Sequence, residues 1–310
     1  MIGYPFTFTN RNGLSINFND HDSDPNNFVA LQEYPAFDVG IKNIEIDKDG
    51  QHGIWDFNSF YGKRVMTFAG VIIGSSEANI ETLKTRLLQV TSLPARPTVD
   101  NDGLVLIQWT DANNEGWQVY AKLDRAIRFN RNLKEKSRLD FVMTLKAPDP
   151  SIRSQLEQLA SGFRTWEQSG FTVPFFVPFT IGLSYHDHII VTNNGSFEAD
   201  TIIRLTGEAD TAVSNPYIYN LTTGEIFKVN ITLLDETKWI EIDSQAGTVV
   251  NEVGVDVSAF VDPVSNYIKL AVGENDLIYW SDESNGLDNP LLTGEIPEAV
   301  ATIRFRDTTI

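Results

Sequence analysis

The sequence of 310 residues is 42% hydrophobic, contains no cysteine and carries a formal net charge of −18. Its length favours two domains, and the absence of cysteine excludes disulfides, thiolate catalysis and thiolate-bound metal ions. The negative charge argues against nonspecific nucleic-acid binding, and because no run reaches the roughly 18 apolar residues of a membrane helix, we expect no membrane insertion.

The first 150 residues are dominated by strand patterns. Apolar and polar residues alternate over residues 14–18 and 42–47, as in half-buried strands, and the β-branched run over residues 64–73 is typical of a central strand. Two hairpins are predicted further along, with strands at residues 104–109 and 117–121 and at residues 125–130 and 139–145.

One helix is predicted directly after the central strand. Ser75 and Ser76 can cap its N-terminus, and Pro94 stops it. Its apolar residues recur at helical spacing and so share one face: Ile80, Leu83, Leu87 and Leu88.

A second, shorter helix is predicted to open at Asp149-Pro150, because Asp caps helices and Pro suits the first helical position. Ile152, Leu156 and Leu159 would form its apolar stripe. A stretch rich in Ser and Gly follows. We therefore predict a first domain over residues 1–150, a helix and linker over residues 151–175, and a second domain over residues 176–310.

Glycine-containing turns separate short strands throughout the second half. The turns are Asn194-Gly195, Thr223-Gly224, Ala246-Gly247 and Val272-Gly273. Short strands at this spacing predict a β-sandwich or jelly roll. Residues 1–150 hold 16 Lys and Arg against 19 Asp and Glu, whereas residues 151–310 hold 8 against 23. This charge difference supports two domains, and solubility is sufficient to explain the acidic half.

No metal, cofactor or catalytic site is predicted. His186 and His188 would share one strand face, but a zinc site needs a third ligand, and the other histidines lie in the first predicted domain. Residues 20–24 look like the start of a calcium loop, yet Pro25 and Leu31 stand where Gly and Glu are required. Nucleophile-elbow, phosphate-loop and dinucleotide motifs do not occur. A carboxylate pair stays open, because its separation is a three-dimensional quantity.

A basic stretch over residues 122–138 crosses the second of the two predicted hairpins. It holds seven Lys and Arg against two acidic residues. One interpretation is a solvated hairpin tip. The other is a contact with acidic surface on a neighbouring subunit, where complementary charge fixes the register. The candidate contact residues are Arg125, Arg128, Arg131 and Lys134.

Aromatic residues in the second half offer a possible glycan contact. Trp239, Trp280 and Tyr279 lie on or beside predicted strands, and aromatic rings can stack on the partly apolar faces of sugars. The alternative is that these rings pack in the core, as most aromatic side chains do.

Several short motifs follow one another in a fixed order. The arginine-containing strand at residues 62–74 leads directly into the helix at residues 76–88, and the strand at residues 141–148 ends in Asp149-Pro150. The second half continues with Asn193-Asn194-Gly195, residues 202–207, residues 215–216, residues 220–225 and residues 239–250. In this order the motifs resemble the distal tail protein (Dit) family of long-tailed, siphovirus-type bacteriophages, over nearly the whole chain.

The resemblance implies a mainly β fold: an N-terminal β-barrel-like or mixed β domain with one helix, followed by a C-terminal galectin-like or carbohydrate-module-like β-sandwich. It also implies a structural virion protein rather than an enzyme, with no cofactor to carry over. Proteins of this family form a homo-hexameric ring in which the N-terminal domains make the ring and the C-terminal domains point outward.

The resemblance implies partners as well. The ring joins the tail tube protein to the baseplate hub or tail tip protein and supports receptor-binding or fibre proteins. We therefore expect the protein at the tail tip of the virion, after assembly in the host cytoplasm. The alternative function is a carbohydrate-binding module that attaches the phage to the host cell wall, and it can coexist with ring assembly.

Overall fold

The computed structural model divides the chain into two compact units, Met1–Gln155 with Ile310, and Leu156–Thr309. Each unit is β-rich and has its own hydrophobic core. The structure describes residues 5–43, 45–47, 54–56, 59–98, 102–131, 137–164, 188–207, 212–281 and 300–310.

The first unit contains eleven of the described strands and one α-helix. The strands are β1 (Phe6–Asn10), β2 (Ser15–Phe18), β3 (Phe28–Leu31), β4 (Ala36–Lys42), β5 (Glu45–Asp47), β6 (Ile54–Asp56), β7 (Phe60–Ile73), β8 (Val105–Thr110), β9 (Gly116–Asn130), β10 (Arg138–Ala147) and β11 (Ile152–Ser154). The helix, α1, spans Glu77–Thr91.

Seven strands of this unit close into a barrel. They hydrogen-bond in the order β10-β7-β3-β2-β1-β8-β9, and the second half of β9 pairs with β10 again. The pairs are antiparallel except β2–β3. Of the remaining strands, β4 pairs with β7, β11 pairs with β9, and β5 and β6 form a separate hairpin.

The barrel is filled by aromatic side chains from alternate strand positions. Phe8 packs against Phe18 and Phe68 with ring centroids 4.6 Å and 5.1 Å apart, and all three rings are fully buried. The helix α1 adds Ile80 and Leu87 to this core. The prediction of a barrel-like mixed β domain with one helix is confirmed.

The helix α1 begins where the sequence predicted. The side chain of Ser76 accepts a hydrogen bond from the Asn79 amide, which satisfies one of the free N–H groups of the first turn. The helix ends at Thr91, three residues before Pro94. One position of the predicted stripe differs, because Leu88 is 41% exposed at the edge of the buried face.

The second predicted helix is wrong: the chain after Pro150 forms the strands β11 and then β12 (Gln158–Arg164). Asp149 does accept a hydrogen bond from the Ser151 amide, as a cap would, but the next residues pair with β9. The side chain of Gln155 then donates to two barrel carbonyls. Sheet partners far along the sequence therefore override the helical spacing of the apolar residues, and Leu156 and Leu159 are exposed.

The second unit consists of strands and turns, with one 3₁₀ helix at Ser258–Phe260. After β12 the strands are β13 (His188–Asn193), β14 (Ala199–Thr206), β15 (Val213–Ser214), β16 (Tyr217–Asn220), β17 (Glu225–Lys228), β18 (Thr232–Leu233), β19 (Trp239–Asp243), β20 (Thr248–Asn251), β21 (Lys269–Leu270), β22 (Gly273–Trp280), β23 (Val300–Phe305) and β24 (Thr308–Thr309).

Two sheets form the predicted sandwich. One has the order β12-β23-β14-β19-β20, with β21 also on β14, and the other has the order β13-β22-β16-β17. Alternate residues of both sheets join one core, for example Ile203 and Ile240 from the first sheet and Ile218 and Leu277 from the second.

Buried asparagines hold the turns of the sandwich. Asn193 donates to the carbonyls of Phe197 and Leu270, and its side-chain oxygen accepts from the Gly195 amide. Asn220 binds the turn that leads to Gly224 in the same way. The short motifs Asn193-Asn194-Gly195 and 220–225 therefore have a structural cause, because each supplies the hydrogen bonds of a tight turn.

Candidate assembly surface

The second half of β9 is an edge strand. Residues 122–130 pair with β10 on one side, whereas β8 and β11 reach only the first half of β9. Among the described residues, no strand pairs with the other edge of residues 122–130. An edge of this kind exposes backbone N–H and C=O groups that can pair with another chain.

Two of the four basic contact residues predicted from the sequence lie exposed on this edge strand. The side chain of Arg125 is 76% exposed and lies 3.8 Å from the carboxylate of its neighbour Asp124. Arg128 is also exposed, and it has no ion pair with another described residue. A β-bulge lies between them, because Arg125 and Arg128 are three residues apart whereas their partners on β10, Thr144 and Val142, are two apart.

The other two predicted residues are placed differently. Arg131 forms an ion pair of 2.8 Å with Glu77 at the start of α1, so its charge is engaged within the unit. Lys134 lies outside the described residues. The structure therefore brings Arg125 and Arg128 together on one edge and assigns Arg131 to the helix.

A second assembly feature was not predicted from the sequence. The strand β7 is longer than its partner β10, whose last pair is Ala147 with Arg64. Beyond that pair, the strand partner of residues 60–63 within the described part of the chain is the end of β4, and we call these two segments the β4–β7 ribbon. Its apolar side chains are open to solvent: Ile41 is 69% exposed, and Phe60 and Tyr61 are each 52% exposed.

Glycines shape the β4–β7 ribbon. The pairing of β4 with β7 shifts register between Val39 and Ile41, where Gly40 alone faces Gly62 and Lys63, so β7 carries the extra residue of a bulge. A Cβ on Gly62 would lie 3.2 Å from the Gly40 carbonyl oxygen, which is tighter than ordinary van der Waals contact. The close approach therefore depends on Gly62, since a Cβ on Gly40 would make only an ordinary contact of 3.6 Å with the Lys63 carbonyl oxygen.

Acidic residues accompany the β4–β7 ribbon. Asp38 is exposed on β4. In the adjacent β5–β6 hairpin, Glu45 is the register partner of Asp56. Residues 36–61 hold five acidic residues and two lysines. This stretch of sequence is therefore acidic, whereas the open edge of β9 is basic.

A buried arginine anchors β7 beside the ribbon. Arg64 is only 2% exposed; its Nε donates to the Pro150 carbonyl at 2.7 Å and its Nη1 to the Phe37 carbonyl at 3.1 Å. Burial lowers the pKa of Arg64, although the nearby Asp149 carboxylate opposes that shift. The arginine thus ties β4, β7 and the segment after β10 together, and it joins two of the motifs that carried the sequence resemblance.

Asp149 completes this anchor. Burial would raise its pKa, but the Arg153 guanidinium at 2.6 Å and the Ser151 amide outweigh burial and hold the pKa below its usual range. Asp149 is therefore charged at neutral pH. It fixes the start of β11 with one oxygen and the Arg153 side chain with the other.

The predicted glycan contacts do not form one exposed platform. Tyr279 is 2% exposed and belongs to the sandwich core, so its ring cannot stack on a sugar and that prediction is wrong. Trp239 is partly exposed, but the guanidinium of Arg204 lies 4.0 Å from its ring centroid and covers one face. The side chain of Trp280 lies outside the described part of the structure.

The acidic and histidine motifs do not form a metal centre in the described part of the chain. Asp20 and Asp24 accept hydrogen bonds from their own loop, for example from Ser23 and Asn27. No group of three or more His, Asp or Glu side chains among the described residues is arranged to hold a metal ion. His186 is outside these residues. None of the described helices has the length and apolarity needed to cross a membrane.

A family model matches the second unit. It is the C-terminal domain of the siphovirus-type tail component family, SPP1_Dit, and it covers residues 194–288. The matched range contains Asn194-Gly195 of the first turn motif and the whole of the second, residues 220–225. Among curated proteins, none matches this sequence significantly.

The fold extends the likeness to both units. The crystal structure of the Dit protein of phage SPP1, described as a hub adsorption apparatus of phages that infect Gram-positive bacteria, aligns with a TM-score of 0.62 at 13% identity, covering 98% of this chain and 99% of that chain. Two structures of the phage P2 baseplate in its activated conformation, with calcium and with strontium, align at 8% identity with TM-scores of 0.47 and 0.46 and cover at least 98% of each chain.

Proposed function

We propose that this chain is a distal tail protein of a siphovirus-type bacteriophage and forms a homo-hexameric ring at the tail tip. The match of residues 194–288 to a siphovirus-type tail component supports a structural role in the phage tail. In the proposed ring, the first unit makes the contacts between subunits. The ring joins the tail tube protein to the baseplate hub protein.

The observation that carries this proposal is the β4–β7 ribbon. A two-stranded ribbon standing alone is at best marginally stable in water. Three large apolar side chains on it, Ile41, Phe60 and Tyr61, are more than half exposed. Contact with a neighbouring subunit would bury the exposed half or more of each side chain, which would contribute roughly 1–2 kcal/mol apiece.

The second unit is proposed to point outward and to support receptor-binding or fibre proteins. Its net charge is strongly negative, because residues 151–310 hold 8 basic and 23 acidic residues. Neighbouring second units would repel one another at close range, whereas the nearly neutral first units can pack side by side. The proposed site of assembly is the host cytoplasm, and the proposed final location is the tail tip of the virion.

The full chain tests this proposal directly. Native mass spectrometry should detect an assembly of six copies of the 34.7 kDa chain, and negative-stain microscopy should show a six-fold ring with a central hole. A chain that stays monomeric at the highest soluble concentration, and also in the presence of tail tube protein, would contradict ring formation.

Paired variants identify which unit forms the ring. The double variant Ile41→Ser with Phe60→Ser removes exposed apolar area from the ribbon, so we expect mostly monomer with an unchanged circular dichroism spectrum. The matched control, Val253→Ser with Val264→Ser, changes two exposed apolar residues of the second unit, 72% and 69% exposed. If the control loses the ring and the ribbon variant keeps it, the assignment of contacts to the first unit is wrong.

A further inference from the structure

Within the proposed ring, on which this inference rests, we infer that the β4–β7 ribbon of one copy lies along the open edge of β9 in the next copy and extends its sheet. The partner is therefore a second copy of this chain. The contact joins two different surfaces of the first unit, each described above for a single copy.

Both surfaces offer backbone groups for strand pairing. Residues 122–130 of β9 have one edge without a strand partner among the described residues, and β4 is paired only with β7. The lengths also agree, because β4 has seven residues and the open part of β9 has nine. At about 3.3 Å per residue, seven residues span roughly 23 Å, which is enough for several inter-subunit hydrogen bonds.

The charges of the two surfaces are complementary. The edge of β9 carries Arg125 and Arg128, both exposed. On the other surface, Asp38 is exposed on β4 beside the ribbon, and residues 36–61 hold five acidic residues against two lysines. Complementary potentials of this kind fix the register of a contact and accelerate encounter.

Apolar side chains lie among these charges on both surfaces. On the β9–β10 side, Val142 stands directly opposite Arg128 and is 44% exposed. On the ribbon, Ile41 and Tyr61 form a cross-strand pair and are both exposed. Strand pairing would place these apolar residues within reach of one another and remove them from water.

The arrangement favours a ring over a closed dimer. A contact between two identical surfaces would bring the arginines of two β9 edges together, or the carboxylates of two ribbons, and like charges would oppose it. A contact between two different surfaces leaves a ribbon unused at one end of a dimer and a β9 edge unused at the other, so further copies can add. Repetition of that contact by rotation closes a ring.

Charge reversal at each surface tests the inference. Arg128→Glu should weaken association of the full chain about 10- to 100-fold, and Asp38→Arg should do the same, because each places like charges across the contact. The chain carrying both changes should recover part of the lost association. Arg96→Glu, which changes an exposed arginine in the bend after α1, is the control and should assemble like the parent chain.

Mixing the two single variants gives a sharper result. The Arg128→Glu chain retains an intact ribbon, and the Asp38→Arg chain retains an intact β9 edge. The mixture therefore offers two complementary contacts, because the two unchanged surfaces fit each other and the two substituted surfaces also carry opposite charges. Native mass spectrometry should detect mixed assemblies in which the two chains alternate, whereas each variant alone should stay largely monomeric. A mixture that associates no better than either variant alone contradicts the contact.

The absence of cysteine makes a direct check possible. Ile41→Cys and Ala126→Cys in one chain should give, on oxidation of the assembled ring, a ladder of covalent oligomers up to the full ring size. Val253→Cys with Ala126→Cys is the control and should remain monomeric on the denaturing gel. A ring of the first variant that yields only monomer after oxidation contradicts the placement of the ribbon on β9.

The outcomes separate this inference from the proposed function. If the parent chain forms no ring, the proposed function itself fails. If the parent chain forms a ring, and Arg128→Glu and Asp38→Arg form it equally well, the ring exists but its contact lies elsewhere.

Discussion

The two units use strand length in opposite ways. In the first unit, β7 and β9 run for 14 and 15 residues and continue past their partners, which leaves the β4–β7 ribbon and an open β9 edge. In the second unit, the described strands have at most eight residues, and tight turns held by buried asparagines connect several of them. Excess strand length is therefore concentrated in the unit that we propose to make the ring.

Exposed apolar residues differ in the same way. Those of the ribbon come from paired strands, so Ile41, Phe60 and Tyr61 lie close together. In the second unit they are more scattered, and several lie singly in turns, such as Val253, Val264 and Val272. Single exposed apolar residues are normal on protein surfaces, whereas a contiguous patch indicates an interaction surface.

The largest expected effect is a loss of folding stability in the second unit alone. Gly195 packs so closely on the backbone of Thr308 that a Cβ would overlap both its nitrogen and its carbonyl oxygen. Because a backbone cannot rotate away, Gly195→Ala should destabilise the sandwich by about 4 kcal/mol. Hydrogen exchange measured by mass spectrometry should show faster exchange in peptides of the second unit and unchanged exchange in the barrel.

A second glycine of the sandwich supplies the control. Gly224 has a positive φ of 75° but open space around its Cβ position. Gly224→Ala should therefore cost only about 1 kcal/mol, the cost of a left-handed backbone for a residue with a side chain. Equal losses for the two variants would mean that backbone strain, and not overlap with Thr308, limits position 195.

The next largest effect is a loss of folding stability in the first unit alone. Arg64→Ala leaves the carbonyls of Pro150 and Phe37 without their donor and opens space beside β4, so we expect a loss of about 3 kcal/mol. Urea unfolding of the purified chain, together with hydrogen exchange resolved by peptide, should assign that loss to the barrel. Lys63→Ala is the neighbouring exposed control, and a similar loss there would rule out burial as the cause.

A smaller effect depends on pH. The pKa of Asp149 is lowered in the folded chain, so its charged form stabilises the fold above the ordinary carboxyl pKa of about 4, and this stabilisation is lost as the pH falls through the folded pKa. Asp149→Asn should therefore cost about 1 kcal/mol at pH 7 and progressively less below pH 4. Urea midpoints measured from pH 7 to pH 3 would show the two curves converging, whereas parallel curves would contradict a charged role.

Local pattern predicted those elements whose partners are close in sequence. Ser76, the apolar positions of α1 and Pro94 place the helix correctly, because capping and amphipathicity are local properties. The same reasoning failed after Asp149-Pro150, where the apolar spacing of a helix belongs to two strands. Their partners, β9 and β23, are far along the chain, so no local signal reveals them.

The assembly surface was predictable only in part. Charge alone indicated Arg125 and Arg128, because a dense run of basic residues is visible in sequence. The β4–β7 ribbon was not predictable, since a strand exceeds its partner only when the register of the whole sheet is known. Tyr279 was misassigned for a related reason. Side chains alternate between core and solvent along β22, and which alternate set faces the core depends on how β22 pairs with β16.

The smallest expected effect concerns Trp239. It distinguishes a tryptophan that binds glycan from one that only packs against Arg204. Arg204 covers one face of this ring and also donates at 2.8 Å to Glu241, which accepts a second hydrogen bond from Arg304. Because these groups are partly exposed, Trp239→Ala should cost less than about 1 kcal/mol, mainly from the lost cation–π contact. If the tryptophan serves this pair, cell-wall pull-down by the variant should equal that of the parent chain, and Arg204→Ala should match it in stability. Pull-down that disappears with Trp239→Ala but persists with Arg204→Ala would instead mean that the open face of the ring stacks on a sugar.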